Sequence, residues 1–488
     1  MDKYDIIIGM ELHVQPSTER KMFCNCPNQY GAAPNTLMCP TCLGLPGALP
    51  VINREAVDKA VAAALALNCK IVPVSHFERK NYFYPDLPKD YQITQYHNPY
   101  GVNGFVEIEV NGEHKCVRIN NVHIEEDTGK LFHADNGSSL VDLNRAGVPL
   151  LEIVSEADMT SPDEAYEYCN VIKNILKYAG VSDCDMEKGQ LRAEGNISIM
   201  PKGTKKWGTK TEIKNINSFK NIRSALEVEA LRQQKIIESG SKVVQETLLF
   251  DPVRNITAPM RSKEFANDYR YFPEPDLNPL EITTDWIDRI RKALPEMPLQ
   301  RRARYVREFG IPEYDAGVLV ADKDVADFFE KCLTLHSAPG GRDLAMGGKD
   351  AKQISNWVMG ELLREMKDTK RAITEIPITP DALVALLGYV NAATITNNMA
   401  KEVFAEMAKD GKSAKEIIEK RGLVQISDTG ELEAVARKAI ADNPKAVADY
   451  KAGKPTAVQF LVGQIMRATK GKANAKVAAD VLLKILSQ

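Results

Sequence analysis

An α+β fold is predicted: an antiparallel-sheet domain over residues 1–293, an all-α domain over 294–409, and a small helical tail domain over 410–488. Three observations predict it. Strand and helix signals are mixed through the first part of the chain, where strands pair by hairpins rather than through regular strand–helix–strand units. Beyond Thr283 the strand signals nearly vanish, and apolar stripes at helical spacing follow one another. Charge then sets the end apart. Tyr450–Gln488 holds seven cations (Lys451, Lys454, Arg467, Lys470, Lys472, Lys476, Lys484) against Asp480 alone, +6 in a chain of net charge −3.

The 488 residues, 44% hydrophobic and 26% charged, exclude a disordered chain and suffice for two to four packed domains. No apolar run approaches the roughly 18 residues that span a bilayer, so no membrane is expected as partner. The opening Met1-Asp2-Lys3-Tyr4-Asp5 lacks a basic stretch followed by an apolar one, so no secretory signal is expected. Nine cysteines, an odd number with only four clustered, point to a reducing, cytoplasmic compartment.

In chain order, Asp5–Ile8 opens a strand with an apolar β-branched run. Ala56, Val57, Ala60, Val61, Ala64 and Leu65 form a helical stripe. Phe105–Val110 alternates with period two, Asn111-Gly112 tolerates positive φ at both turn positions, and Cys116–Ile119 answers as the second strand of a hairpin. Ser161-Pro162-Asp163-Glu164 reads as a capping box with proline at the first helical position. Ala165, Tyr168, Cys169, Ile172, Leu176 and Ala179 follow as one stripe, closed by Gly180. Later stripes are Trp286, Ile287, Ile290, Leu294; then Ile354, Trp357, Val358; then Val458, Leu461, Val462, Ile465, Met466. A break at Lys409–Ser413 separates the helical domain from the tail. Cys69 and Cys169 are both expected in helices.

Cys24-x-Cys26 and Cys39-x-x-Cys42, twelve residues apart among Pro and Gly turns, can wrap four thiolates around zinc. Four sulfurs leave no open position, so that metal would be structural. Glu11 and His13 share a face if the first strand continues. An acid and an imidazole side by side can hold a divalent metal, although such a pair is more often an ordinary polar face. His123-Ile-Glu-Glu-Asp127 places three acids in a row after another strand, a run that either binds cations or is a solvated loop. Carboxylates with few soft ligands suit Mg²⁺ holding phosphates. Arg79–Lys89 packs prolines, aromatics and cations together, and its turns would present Lys80 and Lys89 to phosphate and a planar base. Lys210–Ser218 and Arg261–Glu274 have similar character.

Absences discriminate further. Gly340–Lys349 lacks the P-loop spacing and reads as a loop, and no G-x-S-x-G elbow or other nucleophile signature is present. A nucleotide must then be held by side chains and metal, and the chain does not look able to hydrolyse an amide itself.

Gly9–Gln15, Arg79–Lys89, His123–Lys130, Val141–Val154 and Asp268–Asp276 together resemble the GatB family of aspartyl/glutamyl-tRNA amidotransferase components. Phe460–Met466 through Thr469–Asn474 resembles that family's YqeY-type tail. The resemblance spans the chain. It implies an ATP-dependent phosphorylation of the side-chain carboxylate of glutamate on tRNA(Gln) or aspartate on tRNA(Asn), then amidation by ammonia. It implies a heterotrimer: an amidase-fold A subunit frees ammonia from glutamine and a small C subunit ties the two together. The misacylated tRNA is expected on the helical and tail domains. By analogy Glu11, His13, Glu125 and Glu212 are metal ligands, with Glu126 and Glu152 as candidates for two Mg²⁺ ions. Lys80, Tyr82, Lys89, Arg145 and Lys214 handle ATP phosphates or the substrate carboxylate. Tyr82 can instead be packing, and Glu152 a strand acid paired with Arg145. The implied fold resembles the glutamine synthetase and guanido kinase type, with carboxylates projecting from an antiparallel sheet.

Two other readings fit parts of the sequence. A non-catalytic tRNA-binding scaffold leaves the acid-rich constellation unexplained, and a free-standing ATP-dependent amidoligase leaves the basic tail unexplained.

Overall fold

The computed structural model describes residues 3–134, 136–216, 218–260, 269–336, 348–423, 429–451, 456–469, 473 and 475–486. The basic turn at residues 470–472, residues 261–268 of the Arg261–Glu274 stretch, and the 340–347 part of the glycine-rich loop lie outside the described residues. The chain divides into two compact units, Met1–Pro298 and Leu299–Gln488.

The first unit runs β1 (Tyr4–Val14), α1 (Arg54–Ala66), β2 (Lys70–Ile71), β3 (Val74–Ser75), β4 (Glu78–Asn81), β5 (Tyr91–Thr94), β6 (Gly101–Val110), β7 (Glu113–Glu126), β8 (Lys130–His133), β9 (Ser139–Asp142) and β10 (Pro149–Ser155). It continues through α2 (Pro162–Tyr178), β11 (Leu191–Pro201), β12 (Thr211–Ile216), α3 (Phe219–Glu238), β13 (Thr247–Asp251), β14 (Ile256–Pro259), β15 (Phe272–Pro273), β16 (Leu280–Glu281) and α4 (Thr284–Ala293). Nine strands form one sheet in the order β14-β13-β12-β11-β1-β10-β7-β6-β2. Every neighbouring pair is antiparallel except β12 with β13, which is parallel.

Period-two alternation decides which face is core. In β1, Ile8, Met10, Leu12 and Val14 are buried, whereas Glu11 and His13 turn to the other side. Val106 and Ile108 of β6 and Ile197 and Ile199 of β11 join them, and α1, α2 and α3 cover that face with Val57, Val61, Tyr168, Ile172, Leu176, Ile222 and Leu226. Each fully buried Leu or Ile side chain contributes about 1.5–3 kcal/mol. With one face sealed by helices, the polar residues of the central strands are left on the opposite face.

Local details follow the sequence with corrections. The β6–β7 turn has Asn111 at φ 54° and Gly112 at φ 81°, as that dipeptide suggests. Ser161 caps α2 through the Glu164 amide at 3.2 Å, but the reciprocal half of the capping box is absent. The Glu164 carboxylate is taken instead by the Thr160 amide and by Lys115 of β7, each at 2.7 Å. Cys169 lies in α2, but Cys69 does not lie in a helix: α1 ends at Ala66, and Asn68 at φ 57° turns the chain into β2.

The second unit is helical: α5 (Pro298–Phe309), α6 (Glu313–Val320), α7 (Lys323–His336), α8 (Gly348–Trp357), a π-helical turn at Val358–Leu362, α9 (Leu363–Thr369), α10 (Pro380–Asn391), α11 (Asn397–Asp410), α12 (Ala414–Arg421), α13 (Thr429–Asp442), α14 (Pro444–Lys451), α15 (Thr456–Ala468) and α16 (Ala475–Leu486). Trp357 and Val358 lie in an apolar cluster that includes Ile417 and Ile418 of α12, so this core continues past the Lys409–Ser413 connection. A separate cluster holds Leu432, Leu461, Ile465 and Leu482. Among the described residues no helix is long and apolar enough to cross a membrane.

Candidate active site

The antiparallel register lines up the polar face. Glu11 of β1 lies opposite Glu194 of β11, and His13 lies opposite Arg192 on one side and Glu152 of β10 on the other. Glu152 in turn faces His123 of β7, with Glu125 two residues further along the same face. Beyond β11, Glu212 and Lys214 project from β12. Five carboxylates and two imidazoles thus come from five adjacent strands.

Their donor atoms form three overlapping groups: Glu11, Glu194 and Glu212; Glu11, His13 and Glu152; and His123, Glu125 and Glu152, each within 4.8 Å. His13 Nε2 lies 3.4 Å from Glu152 and 3.8 Å from both Glu11 and Glu125. His123 Nε2 lies 3.2 Å from Glu152, and its Nδ1 faces the Asn121 side chain at 2.9 Å. Lys214 bridges Glu194 at 2.7 Å and Glu212 at 3.2 Å, and the Thr247 hydroxyl donates to Glu212 at 2.8 Å.

So many acids in partial burial cannot all keep their ordinary ionisation. Burial, and then the Glu152 charge, push Glu11 up to about 7. The same two causes raise Glu125. Burial works against charge on Glu152 too, but His123 and His13 overcome it and hold that carboxyl well below the usual range. Burial disfavours the His13 imidazolium, yet Glu152, Glu125 and Glu194 raise it to about 9. The carboxylate oxygens of the row are hard donors that fit Mg²⁺, whose charge would favour the ionised forms of Glu11 and Glu125 that burial and Glu152 now oppose.

Lys80 lies on strand β4, not in a turn. Burial opposes its charge, but Glu125 and the surrounding tyrosines outweigh that and raise it. Its ammonium is 4.9 Å from the Tyr269 ring. Tyr82 meets Tyr269 edge-on at 6.0 Å, Tyr271 follows at 5.9 Å, and Tyr96 stacks on Tyr271 at 4.6 Å. Lys80 therefore stands between an aromatic wall and the acids.

Three expected residues are placed elsewhere. His123–Glu126 are not a loop after a strand but the end of β7 itself, so Glu125 and Glu126 point to opposite faces. Glu126 is buried, ion-paired to Lys89, and accepts the Ile93 amide at 3.0 Å. That pair belongs to none of the three donor groups. Arg145 donates to the Thr128 and Gly129 carbonyls at 2.9 and 2.6 Å and lies 3.6 Å from Asp127. It does not pair with Glu152, whose partners are the two histidines. Two residues not singled out as ligands join the groups: Glu194 and His123. The alternation Leu191-Arg-Ala-Glu-Gly-Asn-Ile-Ser-Ile199 marks Glu194 as polar-facing. His123 shares its face with Glu125 by period two.

The cysteine loop closes as its spacing suggests. Cys42 Sγ lies 3.3 Å from Cys24, 3.6 Å from Cys39 and 3.7 Å from Cys26. Sulfurs about 2.3 Å from a tetrahedral zinc are about 3.8 Å apart, so the four fit that ion. The Cys24 hydrogen bond, followed by the charge of Lys21, pulls Cys42 down to about 4, while burial pushes Cys26 up to about 11. Lys21 is wholly buried, and its ammonium donates to the Leu37 and Ala146 carbonyls at 2.7 Å and approaches Cys42 at 3.7 Å. Asn144 holds the Thr36 and Leu37 amides at 2.8 Å, so the loop is tied to the segment carrying Arg145.

Comparison with known proteins extends this picture. The family model for the GatB/GatE catalytic domain matches residues 6–288, and the model for the GatB domain matches residues 342–486. A protein of Thermoanaerobacter pseudethanolicus is 51% identical over 486 residues, covering 100% of both chains. One of Carboxydothermus hydrogenoformans is 49% identical, covering 99% of this chain and 98% of its own. One of Brevibacillus brevis is 48% identical over 488 residues, with 100% of each covered. Each is named as the B component of an aspartyl/glutamyl-tRNA(Asn/Gln) amidotransferase.

Proposed function

The chain belongs to the GatB family, and from that premise we propose that its polar sheet face phosphorylates the side-chain carboxylate of glutamate or aspartate mischarged on tRNA(Gln) or tRNA(Asn). It is the GatB component of a glutamine-dependent aminoacyl-tRNA amidotransferase. A carboxylate is a poor electrophile because its oxygen is a poor leaving group. One carboxylate oxygen attacks the γ-phosphorus of ATP and ADP departs. Ammonia then attacks the acyl carbon, phosphate leaves with that oxygen, and the nitrogen gives up a proton.

The observation that carries this reading is the row Glu212, Glu194, Glu11, His13, Glu152, His123 and Glu125 across five adjacent strands. Mg²⁺ bound by these side chains would neutralise the phosphoryl oxygens. Lys80 and Lys214, one at each side of the row, orient phosphate and the substrate carboxylate, and Tyr82 with Tyr269 walls the Lys80 side. Lys89, Glu126 and Arg145 shape the surrounding loops. Zinc held by Cys24, Cys26, Cys39 and Cys42 is structural. The separate apolar clusters of the helical segments support a helical domain and a tail. The sheet resembles the glutamine synthetase and guanido kinase arrangement in having carboxylates on one antiparallel face. An amidase-fold A subunit supplies ammonia, a small C subunit completes a cytoplasmic heterotrimer, and the helical and tail domains hold tRNA.

The test is ADP release by the purified complex with each misacylated tRNA. Stimulation by Glu-tRNA(Gln) or Asp-tRNA(Asn) is expected. Absence of stimulation by both, or equal turnover on free glutamate, would refute the reading.

A further inference from the structure

The loop that joins β11 to β12 reads Lys202-Gly-Thr-Lys-Lys-Trp-Gly-Thr-Lys210 and holds four lysines and no acid. Every residue from Pro201 to Lys210 is exposed. Among the described residues none of these lysines has a carboxylate partner. Trp207 is 61% exposed, whereas Trp357 is 6% exposed within its core. The exposed indole offers a flat aromatic face, and the lysines beside it offer cations, to a partner that carries both planar rings and negative charge.

The loop is also built rather than slack. A Cβ at Gly208 would fall 2.2 Å from the Ile199 carbonyl oxygen, so the chain beside Trp207 is pressed against β11 and only glycine fits. Thr204 turns back to Pro201 through its amide at 3.2 Å and its hydroxyl at 2.7 Å. The Lys202 amide is held by the Lys3 carbonyl at 3.0 Å. Lys210 precedes Glu212 by two residues, about 7 Å along the strand, so the β12 end of the loop borders the carboxylate row, while its β11 end, beside Lys3, lies farther along the sheet.

We propose that the 202–210 loop is an RNA-contact surface for the 3′ end of the substrate tRNA, its lysines on phosphates and Trp207 stacked on an unpaired base. This rests on the proposed function in one respect: the amino acid is attached at the RNA's 3′ terminus, so that terminus must come to the acid row for its carboxylate to react. Lysines alone would suit any polyanion. The lone exposed indole among them favours a strand with free aromatic faces over an acidic protein segment, because every unpaired base offers a plane to stack on.

Binding of unacylated tRNA(Gln) to the full-length chain, purified with its partner subunits, tests the proposal. Trp207→Ala should weaken binding about tenfold, while Trp207→Phe retains most of it. Lys205→Ala with Lys206→Ala should lower the slope of log affinity against log salt by about one to two. Affinity and salt slope unchanged in both variants, with native circular dichroism, would overturn the proposal. So would loss of subunit association on gel filtration with tRNA binding intact, which would assign the loop to a protein partner. Loop-independent tRNA binding by a complex that phosphorylates its substrate sinks the loop alone. Loop-dependent binding by a complex that never uses ATP sinks the proposed function alone.

Discussion

Glu11 and Glu194 stand directly opposite each other on neighbouring antiparallel strands. Like charges so placed destabilise a sheet. Here Lys214 answers Glu194 at 2.7 Å, and Glu11 eases the repulsion by holding a proton up to a pH of about 7. A cation bound between the two acids would replace that proton and relieve the same repulsion.

Glu194→Gln should therefore behave like a change in the metal site, although Glu194 lies far in sequence from Glu11. Carboxylate phosphorylation should fall by about 10²–10³, the usual cost of one charge-stabilising group. Glutamine hydrolysis by the partner should remain measurable. Single-turnover ADP formation with Glu-tRNA(Gln) checks this, and near-wild-type rates would remove Glu194 from the site.

Divalent binding should expel protons. At pH 7 the metal-free site keeps His13 protonated, raised to about 9, and Glu11 near half-protonated, raised to about 7. Ligands must be deprotonated. Calorimetry of Mg²⁺ binding in buffers of different ionisation enthalpy should report about one and a half protons released at pH 7. His13→Gln should reduce that number, and buffer-independent heats would contradict the assignment.

The same two groups give the metal-free protein a pH-dependent stability. His13 exceeds its ordinary 6.5, so its contribution is fully present below 6.5 and is lost as pH rises through about 9. Glu11 exceeds its ordinary 4.5, so the folded chain binds the extra proton between about 4.5 and 7 and loses stability as pH rises across that window. Thermal melts in chelator should fall in Tm from pH 5 to 9, less steeply in His13→Gln. A rising Tm would mean the cluster titrates otherwise.

Zinc binding should depend on a residue outside the four thiolates. Lys21→Met removes a buried ammonium 3.7 Å from Cys42 and should weaken zinc about 10–100-fold, as supporting contacts of metal ligands do. Cys39→Ser should release zinc and lower Tm by several degrees while changing the chemical step less. Chelator competition and melting curves measure both.

Much of this site is legible in the sequence because it obeys local rules. Period two puts Glu11 with His13, and short cysteine spacings between Pro and Gly turns announce a thiolate cluster. Strand order is not local. Nothing near Glu194 says that β11 lies beside β1, so its place opposite Glu11 appears only when the sheet is assembled. The acids after His123 show a further limit. Adjacent residues of a strand face opposite ways, so once β7 extends to Glu126 only Glu125 reaches the row, and Glu126 goes to Lys89. Lys89 and Arg145 likewise find their partners on side chains and backbone distant in sequence, which no local pattern around either cation reveals.

The most direct test follows an oxygen atom. Glu-tRNA(Gln) carrying ¹⁸O in both side-chain carboxylate oxygens is incubated with ATP, glutamine and the purified complex, and the inorganic phosphate released is weighed by mass spectrometry. Phosphorylation on this sheet face predicts one ¹⁸O in phosphate for each amide formed, with both products lost in Glu11→Gln. Amide formed at the wild-type rate alongside unlabelled phosphate, or labelled phosphate undiminished in Glu11→Gln, would contradict it.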